Sequence, residues 1–451
     1  MSTISAFEWS CHPKAELLVL SILKMVKERN SFVTALENDL SKMTSTRLFD
    51  WLDFVSVHEA PKLMDNLRES GYVLQNSFDI CRVFHHPRAQ LPRIVVFDGS
   101  GSEVGAAMLV DSIADFLMVH RLSRQIEGSP FSHYRRSLIS SENDALFWVI
   151  ERRGTTSIVP TITHPSSPEQ YLLAKEKWQT RPRDLEDECE ALDLAIETAS
   201  KIVALLGVNL AACLVLECER AYWQSRNHAG QIQKNRQDRL GLGWSNHDHH
   251  TFRSSRGHFT KLVRLFEILG FECRERFYAG EEAGWGAQVM ENPVCHLVLF
   301  LDVDLSPTEV EIDFSHSPLK ENQHLGTVGL WCALHGDSIL QGGMHHLEAQ
   351  FMFDELRKDL REEGIVMMDP FSSLSYLKQA FTKGEIWKVD PNRIQHLLES
   401  QKLSDSQAEK FYKEGAIGSH LENLQRREGF KGFNQQNVSR IIKKTDPRGA
   451  A

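Results

Sequence analysis

Apolar residues recur at helical spacing over residues 14–44 (Leu17, Leu18, Leu20, Ile22, Leu23, Val26, then Phe32, Val33, Leu36, Leu40), which predicts two opening helices. "LFDWLDFVSV" then reads as a strand, "EAPKLMDNLRESGYV" as a short helix stopping at Gly71, and "DICRVFHHP" and "PRIVVFD" as strands. Residues 48–98 thus follow a strand-helix-strand-strand pattern, and 142–163 add a strand pair. The Pro-, Ser- and charge-rich stretch 165–186 predicts a linker, 186–224 a long helical region, and the polar "RNHAGQIQKNRQDRLGLGWS" an ordered loop.

From residue 246 a strand pattern starts again. "NHDHHTFRS" reads as a strand, "GHFTKLVRLFEILG" as an amphipathic helix ending at Gly270, and "FECRERFYA", "GWGAQVME" and "HLVLFLDVDL" as three strands. A second series follows: "SILQGGMHHLEAQ", the helix "FMFDELRKDLREEG" ending at Gly364, "IVMMDPF", and a hairpin of "YLKQAFT" with "EIWKV" across Lys383 and Gly384. The expected fold class is α+β, with paired β-α-β-β-β modules and added helices. The expected segments are 1–165 (helices plus a degenerate β-α-β-β module), 166–245 (linker, long helices, polar loop), 246–395 (paired modules) and 396–451 (a C-terminal helical tail).

Composition narrows the function classes. At 451 residues, 41% hydrophobic and 25% charged, the chain can bury a large core. No apolar run approaches the roughly 18 to 20 residues that span a bilayer, and the first thirty residues lack a basic n-region with a small-residue cleavage site, so the expectation is a cytoplasmic protein without a membrane partner. The net charge of −10 opposes nucleic-acid binding. Eight scattered cysteines without a CxxC pair read as reduced core residues. No GxSxG elbow, P-loop or GxGxxG is found.

The 20 histidines are clustered: His85 with His86, His247 with His249 and His250, and His345 with His346. Successive strand side chains face opposite ways. In "DHHTFR", His250 and Phe252 share the helix side and His249, Thr251 and Arg253 the other. In "HHLEAQ", Leu347 and Ala349 are the apolar set, leaving His346, Glu348 and Gln350 opposite. Each strand therefore opens its polar face with a histidine, and imidazole is the commonest transition-metal ligand. Arg253 is placed to hold a substrate carboxylate in a bidentate pair, with a solvated strand-end arginine as the alternative. Gln288 in "GWGAQ" lies on a strand whose glycines allow close approach of a ligand, with a β-bulge as the alternative. His85 and His86 before Pro87 read as a turn. "GSHLENLQRREGFKGFNQ" puts Ser419, His420, Glu422 and Asn423 at a helix start, with Ser419 as its N-cap.

On "DHHTFR" and "MHHLEAQ", each leading to a helix that ends at Gly, the chain resembles the vicinal oxygen chelate superfamily. Its β-α-β-β-β modules pair into a cup-like sheet around a divalent metal. The resemblance covers 246–390, and 48–160 only as an echo without a strand-opening histidine. Dioxygenase members take a His from each of two modules and a Glu from the last strand of the second. This implies His249, His346 and Glu385 as metal ligands, "LKQAFT" being similar to the strand before that glutamate in hydroxyphenylpyruvate-type dioxygenases.

Two imidazoles and a carboxylate on one face of Fe(II) leave positions for a chelating 2-oxo acid and dioxygen, with Zn, Mn or Co as other metals. The implied function is an Fe(II) dioxygenase on a small carboxylate or 2-oxo acid, Arg253, Gln350 and Gln288 contacting substrate, in a homodimer. His249 and His346 stand 97 residues apart, which calls for an insertion at "SPTEVEIDFSHSPLKENQHLGTVGLW". Glu348 is an alternative carboxylate, and Asp302 or Asp304 could supply the extra ligand of the family's lyases and isomerases. "GAIGSHLENL" is also loosely similar to a segment of the 2-oxoadipate dioxygenase/decarboxylase family. Three other readings stay open: a redox-neutral lyase or isomerase, a hydrolase using His247-Asp248-His249 as an HxH pair, and a non-catalytic ligand-binding protein of the same fold.

Overall fold

The computed structural model describes residues 9–162, 167–434 and 445–448. Helices α1 (Pro13–Arg29) and α2 (Ser31–Thr44) lead through a 3-10 turn (Leu48–Trp51) into the first sheet. Its elements are β1 (Leu52–His58), α3 (Pro61–Glu69), β2 (Val73–Ser77), β3 (Cys81–His85), β4 (Arg93–Phe97), β5 (Val104–Leu109), α4 (Ile113–Val119), β6 (Tyr134–Glu142) and β7 (Ala145–Arg152). The strand order is β2-β3-β4-β1-β5-β7-β6, with β1 parallel to β4 and β5 parallel to β7. The expected echo is thus one complete β-α-β-β-β unit paired with a second that is one strand short. One face packs on α1 and α2 through Val55, Val57, Ile94, Ala106 and Phe147.

Helices α5 (Pro168–Gln179), α6 (Glu188–Leu206), α7 (Val208–Gln224) and α8 (His228–Asp238) come next. Two of them correct the sequence expectations. The linker at 165–186 contains α5, held by buried Tyr171, Ala174 and Trp178; residues 163–166 lie outside the described residues. The polar loop contains α8, because Asn227 caps it (Oδ1 to Gly230 N, 2.7 Å) and its buried amides find distant partners, Gln233 on Thr44 O and Gln237 on Gly243 O. Periodicity cannot reveal a helix whose buried face is polar.

The second sheet contains β8 (His247–Arg253), α9 (Phe259–Ile268), β9 (Glu272–Tyr278), β10 (Trp285–Asn292) and β11 (Leu297–Asp304). After α10 (Thr327–His335) come β12 (His346–Gln350), α11 (Phe353–Glu362), β13 (Ser372–Leu374) and β14 (Leu377–Phe381). A short strand β15 (Ile386–Trp387), α12 (Pro391–Glu399), α13 (Asp405–Glu414) and β16 (Ala416–Ile417) precede β17 (His420–Arg426). The order is β13-β14-β17-β12-β8-β11-β10-β9. This is the paired β-α-β-β-β arrangement, with β8 and β12 antiparallel at its centre and each module closed by a parallel fourth strand, β11 or β17.

The fourth strand of the second module is therefore β17. Residues 386–387 pair only with 416–417, while β14 pairs with β17. The expected hairpin and the expected helical tail are both corrected: α12 and α13 are inserted between the third and fourth strands, and the tail carries an interior strand. Leu299, Leu301, Leu347, Ala349 and Leu421 pack on one face against α6, α7, α9 and α11. The other face carries the site. Gly270 and Gly364, at φ +77° and +81°, end α9 and α11 in the left-handed conformation. Among the described residues no helix is long and apolar enough to cross a membrane.

Candidate metal centre

Strands β8, β12 and β17 lie side by side and place His249, His346 and Glu422 on the sheet face opposite the helices α9 and α11, all buried. One ligand atom from each lies within 4.8 Å of the others. His346 Nε2 is 2.9 Å and His249 Nε2 3.6 Å from Glu422 Oε2. Neighbouring ligands on an octahedral ion with bonds near 2.1 Å stand about 3 Å apart, so the spacing of the two imidazoles from Glu422 suits a shared divalent ion.

The partners of these groups leave the right atoms free. His249 Nδ1 lies 2.6 Å from Glu348 Oε2, which fixes the ring and directs Nε2 toward Glu422. Gln379 on β14 donates to both carboxylates, at 2.8 Å to Glu348 and 3.2 Å to Glu422. Asp248 is held by Arg426 in a bidentate pair (3.1 and 2.8 Å); burial opposes its ionisation, but Arg426 and His249 keep it well below the usual carboxylate range. Burial lowers a histidine, yet Glu348 and Asp248 push His249 up to about 10. Burial and the neighbouring Glu348 push Glu422 well above its ordinary value, and burial holds His346 well below its own.

Arg253 lies on the same face of β8, 4% exposed, its backbone held by Ser338 (N to Oγ, 2.7 Å). Nε and Nη1 have no hydrogen-bond partner; Asp302 Oδ2 is 3.8 Å from Nε, and the guanidinium sits 5.6 Å over the Trp331 ring. Thr251 Oγ1, His345 Nε2 and His420 Nε2 are also buried without partners. The surrounding wall is aromatic: Phe277, Trp285, Phe300, Trp331, Phe381 and Phe433. Orphaned polar atoms beside an apolar wall suit contact with a small ligand carrying a carboxylate and a few acceptors.

The other sequence candidates lie elsewhere. Glu385 is not beside the two histidines; its Oε1 accepts from His228 N and Ala229 N (2.9 and 3.2 Å) at the start of α8. That is a helix-capping role. Glu385→Ala should leave metal content unchanged and lower stability by about 1 kcal/mol, as read by metal analysis and thermal melts. Gln288 is turned away from the cup, donating to Glu275 O and Val289 O and accepting from Ser315 Oγ, so no part of it is left for a substrate. Gln350, at the end of β12, lines a different cavity. Asp304 caps α10 through Val328 N and Gly329 N.

The sequence reading placed Glu422 at a helix start and so missed it. A signal was present: His346-Leu347-Glu348 recurs as His420-Leu421-Glu422, and the two tripeptides pair in register on adjacent parallel strands.

No family model matches the chain, and no curated protein matches it. Solved structures to which it is similar include a mutant 4-hydroxymandelate synthase from Streptomyces coelicolor (12% identity over 88% of this chain and 98% of that one, TM-score 0.26). Methylmalonyl-CoA epimerases from Mycobacterium tuberculosis (10%, 41% and 89%, TM-score 0.23) and Streptomyces coelicolor (16%, 40% and 96%, TM-score 0.21) are others. At such TM-scores they carry no argument about activity, and the functional reading rests on this chain's own geometry.

Proposed function

We propose that this chain is a metal-dependent enzyme, an Fe(II) dioxygenase acting on a small carboxylate or 2-oxo acid. The observation that carries the reading is the two-histidine, one-carboxylate set of His249, His346 and Glu422, three buried ligands from one sheet face. Such a set, with Fe(II) bound, supplies a redox-active Lewis acid with coordination positions left for substrates.

The pseudo-symmetry of the cup favours this over the lyase or isomerase reading. Superposing the modules by their strand registers matches His249 with His346, and Glu422 with Phe300. A phenyl ring, 4.4 Å from the His249 ring, therefore occupies the place of a fourth ligand. The hydrolase reading is disfavoured because His247 Nδ1 turns to Trp244 O (2.8 Å).

The chain's own work is binding and orientation. Glu348 and Gln379 hold the ligands, Arg253 fixes a substrate carboxylate, and the Phe300, Trp331 and Phe381 rings exclude water. Burial pushes Asp302 up to about 7 against the opposing influence of Arg253, so its repulsion of an acid is weaker than that of an ordinary carboxylate.

The test is metal analysis of anaerobically purified protein, then oxygen uptake across a panel of 2-oxo acids. One divalent metal per chain and uptake with at least one acid are expected. A chain that neither contains nor regains iron, manganese, zinc or cobalt refutes the metal-enzyme reading. Arg253→Lys should keep metal content but lower kcat/KM for the best acid by about 10- to 100-fold, since an ammonium cannot reproduce the guanidinium fork.

A further inference from the structure

A cavity of about 490 Å³ lies where the two sheets meet, lined by the starts of β1, β4, β8 and β11, the ends of β5, β7 and β12, and one face of α7. None of His249, His346 or Glu422 lines it. Its size falls within the range of small-molecule sites, and junctions between structural units are where such sites recur.

The charged lining is closely paired except at one place. Arg93 and Arg152 share Asp53, with Arg152 also on Thr155 O and Ser157 O. Arg153 and Arg135 share Glu151, Glu217 holds Lys175, and Asp50 holds Arg47. Asp115 is exposed at the rim.

Arg220 is different. It is 9% exposed, and its side chain has two contacts, both at 3.5 Å: Nη1 to His247 Nδ1 and Nη2 to Asp111 Oδ2. The first is not a hydrogen bond, because His247 Nδ1 carries the proton it donates to Trp244 O at 2.8 Å. In the second, Asp111 is already engaged by Trp244 N (2.8 Å) and Ser245 Oγ (2.9 Å). A nine-tenths buried guanidinium therefore faces the cavity with one long ion pair, to Asp111, and no acceptor at ordinary hydrogen-bond distance, where a full partner set is the rule. One turn earlier on α7, Leu216 faces the same space, with Phe131 and Leu297 completing an apolar wall.

We infer that this cavity binds a small organic anion, with its carboxylate on Arg220 and its apolar body along Phe131, Leu216 and Leu297. The ligand supplies the close acceptor that Asp111, at 3.5 Å, does not, and the site is separate from the metal centre.

The test uses the full chain and two fluorescent probes of nearly the same shape: anionic 8-anilinonaphthalene-1-sulfonate and neutral N-phenyl-1-naphthylamine. The anionic probe should bind saturably at one site, at least about tenfold more tightly than the neutral one, and be displaced by decanoate. Arg220→Gln should remove that preference while leaving neutral-probe affinity and metal content unchanged. Leu216→Trp should abolish binding of both; if it does not fold, Arg220→Gln with the two probes decides. Equal affinity for the probes, no saturable site, or insensitivity to Arg220→Gln overturns the inference. Since no readout passes through the metal, the outcome is independent of the proposed enzyme activity.

Discussion

Glu422→Gln should eliminate stable metal binding while leaving the metal-free protein folded. Removing a supporting carboxylate behind a ligand commonly costs 10- to 100-fold in metal affinity, so loss of the ligand itself should cost more than about 100-fold. In the metal-free protein the change should be neutral or stabilising. Glu422 lies beside Glu348, both are buried, and burial together with that neighbour makes its ionised form unfavourable. The amide removes the conflict and keeps an acceptor for Gln379. The measurement is a pair of thermal melts with and without added metal. Wild type should gain stability as metal is added; Glu422→Gln should gain none. A variant that retains wild-type metal affinity removes Glu422 from the ligand set. Glu348→Gln is the companion case: it should weaken metal binding by about 10- to 100-fold without abolishing it, because it unties only the His249 ring.

Asp53→Ala should be the most destabilising single substitution in the first sheet. Asp53 accepts from Arg152 through both oxygens (3.0 and 2.8 Å) and pairs with Arg93. The two arginine side chains are each 4% exposed. Alanine would strand both guanidiniums in the interior, and breaking a buried ion pair from one side costs about 3–5 kcal/mol. The pH dependence has a defined sign. Burial opposes ionisation of Asp53, but Arg152 and Arg93 hold its folded-state value well below the usual carboxylate range. Its stabilisation is therefore complete above the unfolded value near about 4 and fades as pH falls below that. Denaturant titrations should show the largest gap between wild type and variant at neutral pH, narrowing toward pH 2. A gap independent of pH would mean that packing, not charge, holds this cluster.

The histidine pair and the carboxylate were unequally legible. For His249 and His346, strand alternation alone selects the ring of each pair that comes to lie beside Glu422, because in "DHHTFR" and "HHLEAQ" the apolar neighbours mark the face turned to the helices. Arg253 follows from the same argument. Glu422 does not, since α12 and α13 stand between the third and fourth strands of its module. Residues 385–387 mimic that fourth strand locally, and nothing in their own composition shows that they pair with 416–417 instead. The repeated His-Leu-Glu was visible, but its meaning depends on which strands become neighbours.

By itself the sequence determined the elements with apolar periodicity, the two histidine strands, their inward faces and the paired-module class, because these depend on the period of a few adjacent residues. The tertiary structure decided which carboxylate meets the histidines, that Phe300 lies against the His249 ring, that α8 is a helix, and that a cavity forms between the sheets. Each of these requires residues tens to hundreds of positions apart to be brought together. No local pattern encodes a partner at that distance; burial and strand pairing across the whole chain select it.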